Sequence, residues 1–234
     1  HSGFALAFHL HAVETHVALA GFRIFRDHQR PGDEAAAVLR PALQHRKLVQ
    51  RKIIFADHFL ARAGLHRLGK KRADFRQLRQ HFELIHQTGL ANFDAVSKEA
   101  QAIIPEGFKK YYHALSFLND AELACAYQAT DFVISRAGAG SIFEIAALGK
   151  PSILVPLPGS AQNHQQKNAY AFAENGASIV LEQNNFTPHF LSEIMKFLFS
   201  DQIKLDTMSE KAKEFSQPQA ARIIAEYLLA YLMQ

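Results

Sequence analysis

The stretch Asp131–Gly149, DFVISRAGAGSIFEIAALG, constrains the fold more than any other part of the chain. A short apolar run, Asp131–Ser135, passes through Gly138-Ala139-Gly140-Ser141 into a helix reaching Leu148, and Gly149-Lys150-Pro151 ends it. A brief, almost continuously apolar run is what a parallel strand covered on both faces looks like. The same alternation repeats on either side. Phe82–Gln87 reads as a strand ending at Thr88-Gly89, and a helix capped by Asn92 or Asp94 follows to about Ile103, stopped by Pro105. Tyr111–Leu118 reads as a strand and Asp120–Ala129 as a helix. Ser152–Pro156 is the next strand, Asn163–Glu174 a helix ending at Asn175-Gly176, and Ser178–Leu181 the last strand. Thr187, with Pro188 at the first helical position, opens a run of helices to the C-terminus. Strands alternating with helices of this length predict a Rossmann-like α/β fold, a parallel sheet with helices on both faces. Such sheets bind ligands outside the carboxyl ends of their strands, so the loops there are the places to look for chemistry.

The first such loop is Arg136–Ser141. A strand, a glycine-rich turn and a helix present backbone N–H groups to an anion, helped by the helix dipole. The alternative is a tight turn that merely needs glycine. Neither standard phosphate motif fits: the dinucleotide pattern needs glycine where Phe143 stands, and the Walker pattern needs Gly-Lys where Phe143-Glu144 stands. Glu144, read as lying in the first turn, would repel a phosphate but accept two hydrogen bonds from a ribose diol, or else simply favour the helix dipole. Arg136 is a candidate to neutralise a diphosphate, against a solvated turn residue. The second loop, Pro156–Ala169 (PLPGSAQNHQQKNA), gathers Asn163, His164, Gln165 and Gln166 at one helix start. Amides both donate and accept, which suits sugar hydroxyls; only His164 there is a good metal ligand. Cys125 reads as a small core residue, and HLHAVETH (His9, His11, His16) lacks the carboxylate support of a metal site.

Charge is misleading here. The net of +4 sums 15 Lys and Arg against 6 Asp and Glu in residues 1–80, and 11 against 16 in residues 81–234. The first 80 residues also contain no Asn, Tyr, Met or Cys, yet hold eight of the 13 histidines. We therefore divide the chain into a basic segment, 1–80, and an α/β domain, 81–234. Pro31–Glu34 opens a short helix over Ala35–Leu39, cut by Pro41, and Lys47–Gln80 is helix-permissive without clean periodicity. The segment is a basic module, a truncated domain, or sequence read out of frame or joined artificially. Its run His66–Arg79 has no aromatic-interleaved or helix-turn-helix pattern, so nucleic acid is not an expected partner. One cysteine excludes a disulfide framework, no run of about 18 apolar residues spans a membrane, and no secretory start precedes the chain. Beginning at His1, it reads as a fragment or a processed product.

Five segments together carry a resemblance: FELIHQTGLANF (82–93), FLND (117–120), DFVISRAGAGSIFEIAALGKP (131–151), ILVPLPGSAQNHQQKNA (153–169) and MSEKAKEFSQPQAARIIAEYL (208–228). From about His81 onward the chain resembles the C-terminal, donor-binding domain of the MurG family, the transferases that convert lipid I to lipid II in bacterial peptidoglycan synthesis. The resemblance implies a GT-B architecture of two Rossmann-like domains, of which this is the second. It implies an inverting transfer of GlcNAc from UDP-GlcNAc to an undecaprenyl-linked acceptor, without a cofactor or an obligatory metal. By position, Glu144 would hold the ribose hydroxyls and the turn at Ala137–Ser141, with Gly138, Ala139 and Gly140, would face the diphosphate. Gln165 and Gln166 would meet the GlcNAc hydroxyls, and backbone groups at Leu118 would read the uracil edge. The enzyme would work in the cytoplasm, peripheral to the inner face of the plasma membrane, where an anionic lipid surface is a further partner.

The departures bear on the chemistry. The family's GGTGGH-type loop, which supplies the candidate base, has no counterpart in residues 1–80, where Gly3, Gly21, Gly32, Gly64 and Gly69 are isolated. Its GGS-type loop is missing upstream of His81, so the first strand and helix of the domain are expected to be absent or replaced. No histidine is assigned as catalytic base, and the isolated chain is expected not to complete transfer. Two other functions remain open: a nucleotide-sugar-binding subunit of the Alg13 type that needs a separate acceptor-binding partner, and a non-enzymatic basic module binding anions.

Overall fold

A computed structural model describes residues 51–55 and 82–233. The readings of Ala35–Leu39, of the histidines in HLHAVETH and of His66–Arg79 lie outside the described residues.

Among the described residues six strands form one parallel sheet: β1 (Arg51–Phe55), β2 (Phe82–Gln87), β3 (Tyr112–Leu115), β4 (Phe132–Ser135), β5 (Ser152–Leu154) and β6 (Ser178–Val180). Their order is β3-β2-β1-β4-β5-β6. Ile53 and Ile54 pair with Leu84 and Ile85 on one side and with Phe132 and Val133 on the other. The order reverses between β1 and β4, which opens a crevice at their carboxyl ends.

β1 corrects two expectations. Residues 47–80 read as helix-permissive, and the domain's first strand was expected to be absent or replaced. Instead Arg51–Phe55 is a central strand, joined in one sheet to the residues after 81. Its apolar run is only Ile53-Ile54-Phe55-Ala56, after Arg51-Lys52 and before Asp57, too short to show a period.

Seven α-helices follow in the described residues: α1 (Phe93–Ile103), α2 (Asp120–Ala129), α3 (Ala139–Ala147), α4 (His164–Glu174), α5 (Pro188–Phe199), α6 (Gln202–Phe215) and α7 (Ala220–Leu232). Successive strand residues serve opposite faces, as the two-residue period requires. Ile54, Ile85, Val133 and Leu154 pack with Tyr127, Ile145, Phe172 and Ala212 on one face. Ile53, Phe132, Ile134 and Ile153 pack with Leu191, Met195, Leu198 and Met208 on the other. Cys125 packs against the first of these clusters.

Local rules set several boundaries. Asn119 and Glu122 form a reciprocal capping box at the start of α2: Glu122 N–H donates to Asn119 Oδ1 at 3.0 Å and Asn119 N–H to Glu122 Oε2 at 2.9 Å. Thr187 accepts from Phe190 N–H with Pro188 at the first helical position, as expected. The strand expected over Tyr111–Leu118 is shorter, because Glu106–Tyr111 winds into a 3-10 helix and 116–118 turn into the α2 cap. Likewise Ala161–Asn163 is a 3-10 turn and α4 begins only at His164.

Candidate functional site

The loops at the carboxyl ends of β3, β4, β5 and β6 supply the site. After β4, Gly138 takes the N-cap position of α3 with φ −65° and ψ 145°, and no side chain caps this helix. Gly138 and Gly140 both lie outside the left-handed region. A Cβ on Gly140 would meet nothing within 4 Å, and one on Gly138 would meet only Ser141 Oγ at 4.0 Å. Neither glycine is therefore required by the chain's own conformation or packing. The space that a Cβ would take at either glycine is free of close contacts.

Glu144 is the sixth residue of α3 rather than a first-turn residue, because the helix starts at Ala139. It is exposed at the surface, and two α2 residues act on its carboxyl, Tyr127 through its hydroxyl and Asp120 as a second negative charge. Partial burial, and then Asp120, push its carboxyl above the usual range, and the Tyr127 hydrogen bond pulls the other way. Leu118 is 2% exposed, so its side chain anchors the loop between β3 and the α2 cap.

Arg136 departs from the diphosphate expectation. It is buried, Nη1 donates to the Val155 and Pro156 carbonyls at 3.0 and 3.2 Å, and Nη2 donates to Gln183 Oε1 at 2.9 Å. The guanidinium points into the protein because three strand ends converge there and present it with oxygen acceptors.

The loop after β5 holds its polar residues under strain. Gln162 and Asn163 have φ of +51° and +55°, the non-glycine residues with positive φ among those described. Each such residue costs on the order of 1 kcal/mol, which the surrounding contacts must offset. His164 Nδ1–H donates to the Ala161 carbonyl at 2.7 Å, and Gln165 N–H donates to the Ser160 hydroxyl at 3.3 Å. Gln165 Oε1 accepts from Leu157 N–H at 3.0 Å, whereas Gln166 Nε2 donates to Glu182 Oε1 at 3.3 Å. Asn168 Nδ2 donates to the Ala137 carbonyl at 3.3 Å, tying α4 to the glycine turn. Beside them a cavity of about 180 Å³ is lined by Pro156, Asn163, Gln166, Glu182 and Gln183, among others.

The structure thus places Gly138–Ser141 and Glu144 on one helix and His164, Gln165 and Gln166 at the start of the next one. Sequence reasoning missed Tyr127, Asp120, Tyr170, Glu182 and Gln183. Glu182 and Gln183 follow β6 after Leu181, so the rule that pointed to the other loops would have found them. No group of three metal-ligating side chains occurs among the described residues. None of the helices there is long and apolar enough to cross a membrane.

A doubly wound sheet with open, polar loops at its carboxyl ends is one Rossmann-like half of the GT-B glycosyltransferase architecture. The chain belongs to the glycosyltransferase family 28 C-terminal domain family, whose sequence profile matches residues 61–224. The UDP-N-acetylglucosamine--N-acetylmuramyl-(pentapeptide) pyrophosphoryl-undecaprenol N-acetylglucosamine transferase of Methylibium petroleiphilum is 41% identical over 143 residues, covering 61% of this chain and 37% of that protein. Among solved structures, Acinetobacter baumannii MurG superposes with a TM-score of 0.61 at 24% identity, over 82% of this chain and 53% of that one. Sucrose-phosphate synthase from Thermosynechococcus elongatus gives 0.56 at 15% identity, over 87% and 49%. Both structural likenesses are of fold. The chain spans 37–40% of the length of the first curated relatives it matches.

Proposed function

We propose that this chain binds UDP-GlcNAc and forms the donor half of a transferase that moves GlcNAc to an undecaprenyl-linked lipid I acceptor. The observation that carries the reading is the uncapped start of α3, flanked by two glycines whose missing side chains serve no purpose within the chain. Backbone N–H groups at Ala139, Gly140 and Ser141 take the diphosphate, where a Cβ would obstruct it. Glu144, held by Tyr127, accepts from the ribose hydroxyls. Gln165 and Gln166 address the sugar hydroxyls, with His164 at the loop edge, and the backbone at Leu118 addresses the uracil.

In the reaction an acceptor hydroxyl attacks the anomeric carbon from the face opposite the diphosphate. The carbon–oxygen bond to UDP breaks, the leaving oxygen keeps the electron pair, and the anomeric configuration inverts. The negative charge that develops on the diphosphate is stabilised by the α3 N-terminus, fixed in place before the reaction begins. The base that takes the acceptor proton is not assigned to any described residue. A lipid acceptor places the work at the cytoplasmic face of a membrane, with an anionic surface as a further partner and no role for nucleic acid.

Thermal melting in the presence of millimolar UDP-GlcNAc tests the reading. A ligand present at about 100 times its Kd stabilises the fold by about 2.7 kcal/mol. The melting temperature rises in the wild type, and Glu144→Ala loses the rise. An unchanged melting temperature for the wild type defeats the proposal.

A further inference from the structure

Arg136 is buried, and its contacts lead to the two glutamines in the first turn of α4, Gln165 and Gln166. The first route runs through a single peptide unit. Arg136 Nη1 holds the Pro156 carbonyl at 3.2 Å, and the N–H of that same peptide, on Leu157, donates to Gln165 Oε1 at 3.0 Å. A peptide is planar, so fixing its carbonyl also fixes the direction of its N–H. The second route runs through the turn after β6. Arg136 Nη2 holds Gln183 Oε1 at 2.9 Å, and the adjacent Glu182 accepts from Gln166 Nε2 at 3.3 Å and from the Tyr170 hydroxyl at 2.9 Å.

We infer that Arg136 is a positioning residue that orients the Gln165 and Gln166 side chains together, and so governs recognition of the sugar rather than of the diphosphate. This rests on the donor-site reading above. A buried cation needs oxygen partners, and the convergent ends of β4, β5 and β6 supply them. The fork geometry explains why arginine serves here. One planar group donates in two fixed directions, to the β5 end through Nη1 and to the β6 turn through Nη2, whereas a lysine ammonium is a single point of charge. With Gln165 Oε1 engaged by Leu157, its amide NH₂ is left to donate to a hydroxyl. With Gln166 Nε2 engaged by Glu182, its Oε1 is left to accept from one. The pair then offers a donor and an acceptor side by side, a pattern suited to a hydroxyl-bearing pyranose and irrelevant to UDP alone.

Calorimetric affinities for UDP and for UDP-GlcNAc test the inference in wild type, Arg136→Lys and Gln183→Ala. The expected result is a UDP affinity within about threefold of wild type and a UDP-GlcNAc affinity about tenfold weaker in Arg136→Lys, the worth of one or two neutral hydrogen bonds. Gln183→Ala cuts only the second route and loses less, with the same selectivity. Adding Gln183→Ala to Gln166→Ala should cause no further loss, which a merely structural role would not produce. Equal loss for both ligands overturns the inference in favour of diphosphate contact or general support of the fold. Wild-type affinity for both ligands in both variants overturns it as well. Should Arg136→Lys fail to fold, Gln183→Ala and its double mutant carry the same decision. A wild type that binds neither ligand refutes the donor-site reading and this inference with it, an outcome distinct from loss of selectivity alone.

Discussion

Tyr127 on α2, almost wholly buried, acts through its hydroxyl on the exposed Glu144 carboxyl of α3 and favours its ionised form. Because Glu144 is exposed, its carboxylate remains accessible to a ribose diol, which needs two acceptors. Partial burial and the neighbouring Asp120 hold the Glu144 carboxyl above the usual carboxylate range, so it takes up a proton at a higher pH than an ordinary glutamate. Binding needs the ionised form. UDP affinity should therefore fall with acidification before ordinary carboxylates titrate. Calorimetry in overlapping buffers checks this, and Asp120→Asn should shift the fall to lower pH. A flat profile in the wild type would remove Glu144 from the ligand set.

Gly140→Ala separates folding from binding. The residue is helical, and open space surrounds its missing Cβ. Alanine in a helix is favoured over glycine, so the unliganded protein should gain about 0.4–1 kcal/mol. The same methyl group would project over the α3 N-terminus and obstruct a diphosphate. The expected outcome is a higher melting temperature without ligand and a weaker response to UDP. If the response to UDP is undiminished, the diphosphate does not sit there.

Gly149 does the opposite. It follows the C-cap Leu148 with φ +60°, Gly149 N–H donates to the Ala146 carbonyl at 3.0 Å, and Lys150 N–H donates to the Ile145 carbonyl at 3.1 Å. This is the paired closure that ends a helix on a left-handed residue. A Cβ there would also collide with the Lys213 side chain. Gly149→Ala should cost about 1–2 kcal/mol in urea denaturation, while the folded fraction keeps its UDP affinity. A neutral result would mean that the left-handed turn is not maintained in solution.

These two glycines show what the sequence could reveal. Gly149 before Lys150-Pro151 has a local meaning, a helix stop, and the stop is where it was expected. Gly138 and Gly140 could be read as a tight turn or an open one, and only the space around them decides between the two. The strand-helix alternation after Phe82 was legible because each apolar run is bounded by its own turn residues. β1 was not, because so short an apolar run after Arg51-Lys52 becomes a strand only through pairing with β2 and β4, which no local pattern records. Arg136 illustrates the same limit within the site. Its place beside the glycine turn suggested a diphosphate ligand, yet its direction is set by carbonyls 19 and 20 residues further along the chain. The Gln165 and Gln166 amides were legible as a pair, whereas their orientation depends on Leu157 and Glu182.

His86 provides a prediction about the fold itself. It lies on β2 with Nδ1 2.7 Å from the Tyr112 hydroxyl, and burial lowers its pKa from 6.5 to about 4. The unfolded chain therefore binds a proton on this ring between pH 6.5 and 4 while the folded protein does not. Stability from this residue is fully present above pH 6.5 and is lost as pH falls toward 4, by about 3 kcal/mol in all. The Tyr112 hydroxyl, whose pKa burial raises, stays protonated throughout this window, so the pH dependence belongs to the His86 ring. Urea unfolding at pH 7.5, 6, 5 and 4.5 should show a steeper decline in the wild type than in His86→Gln, which keeps a polar group near Tyr112 without the titration. The variant is less stable at pH 7.5, and the two curves converge as the pH approaches 4. Parallel curves across the whole range would mean that His86 titrates normally, and hence that the β2–β3 edge is open to water.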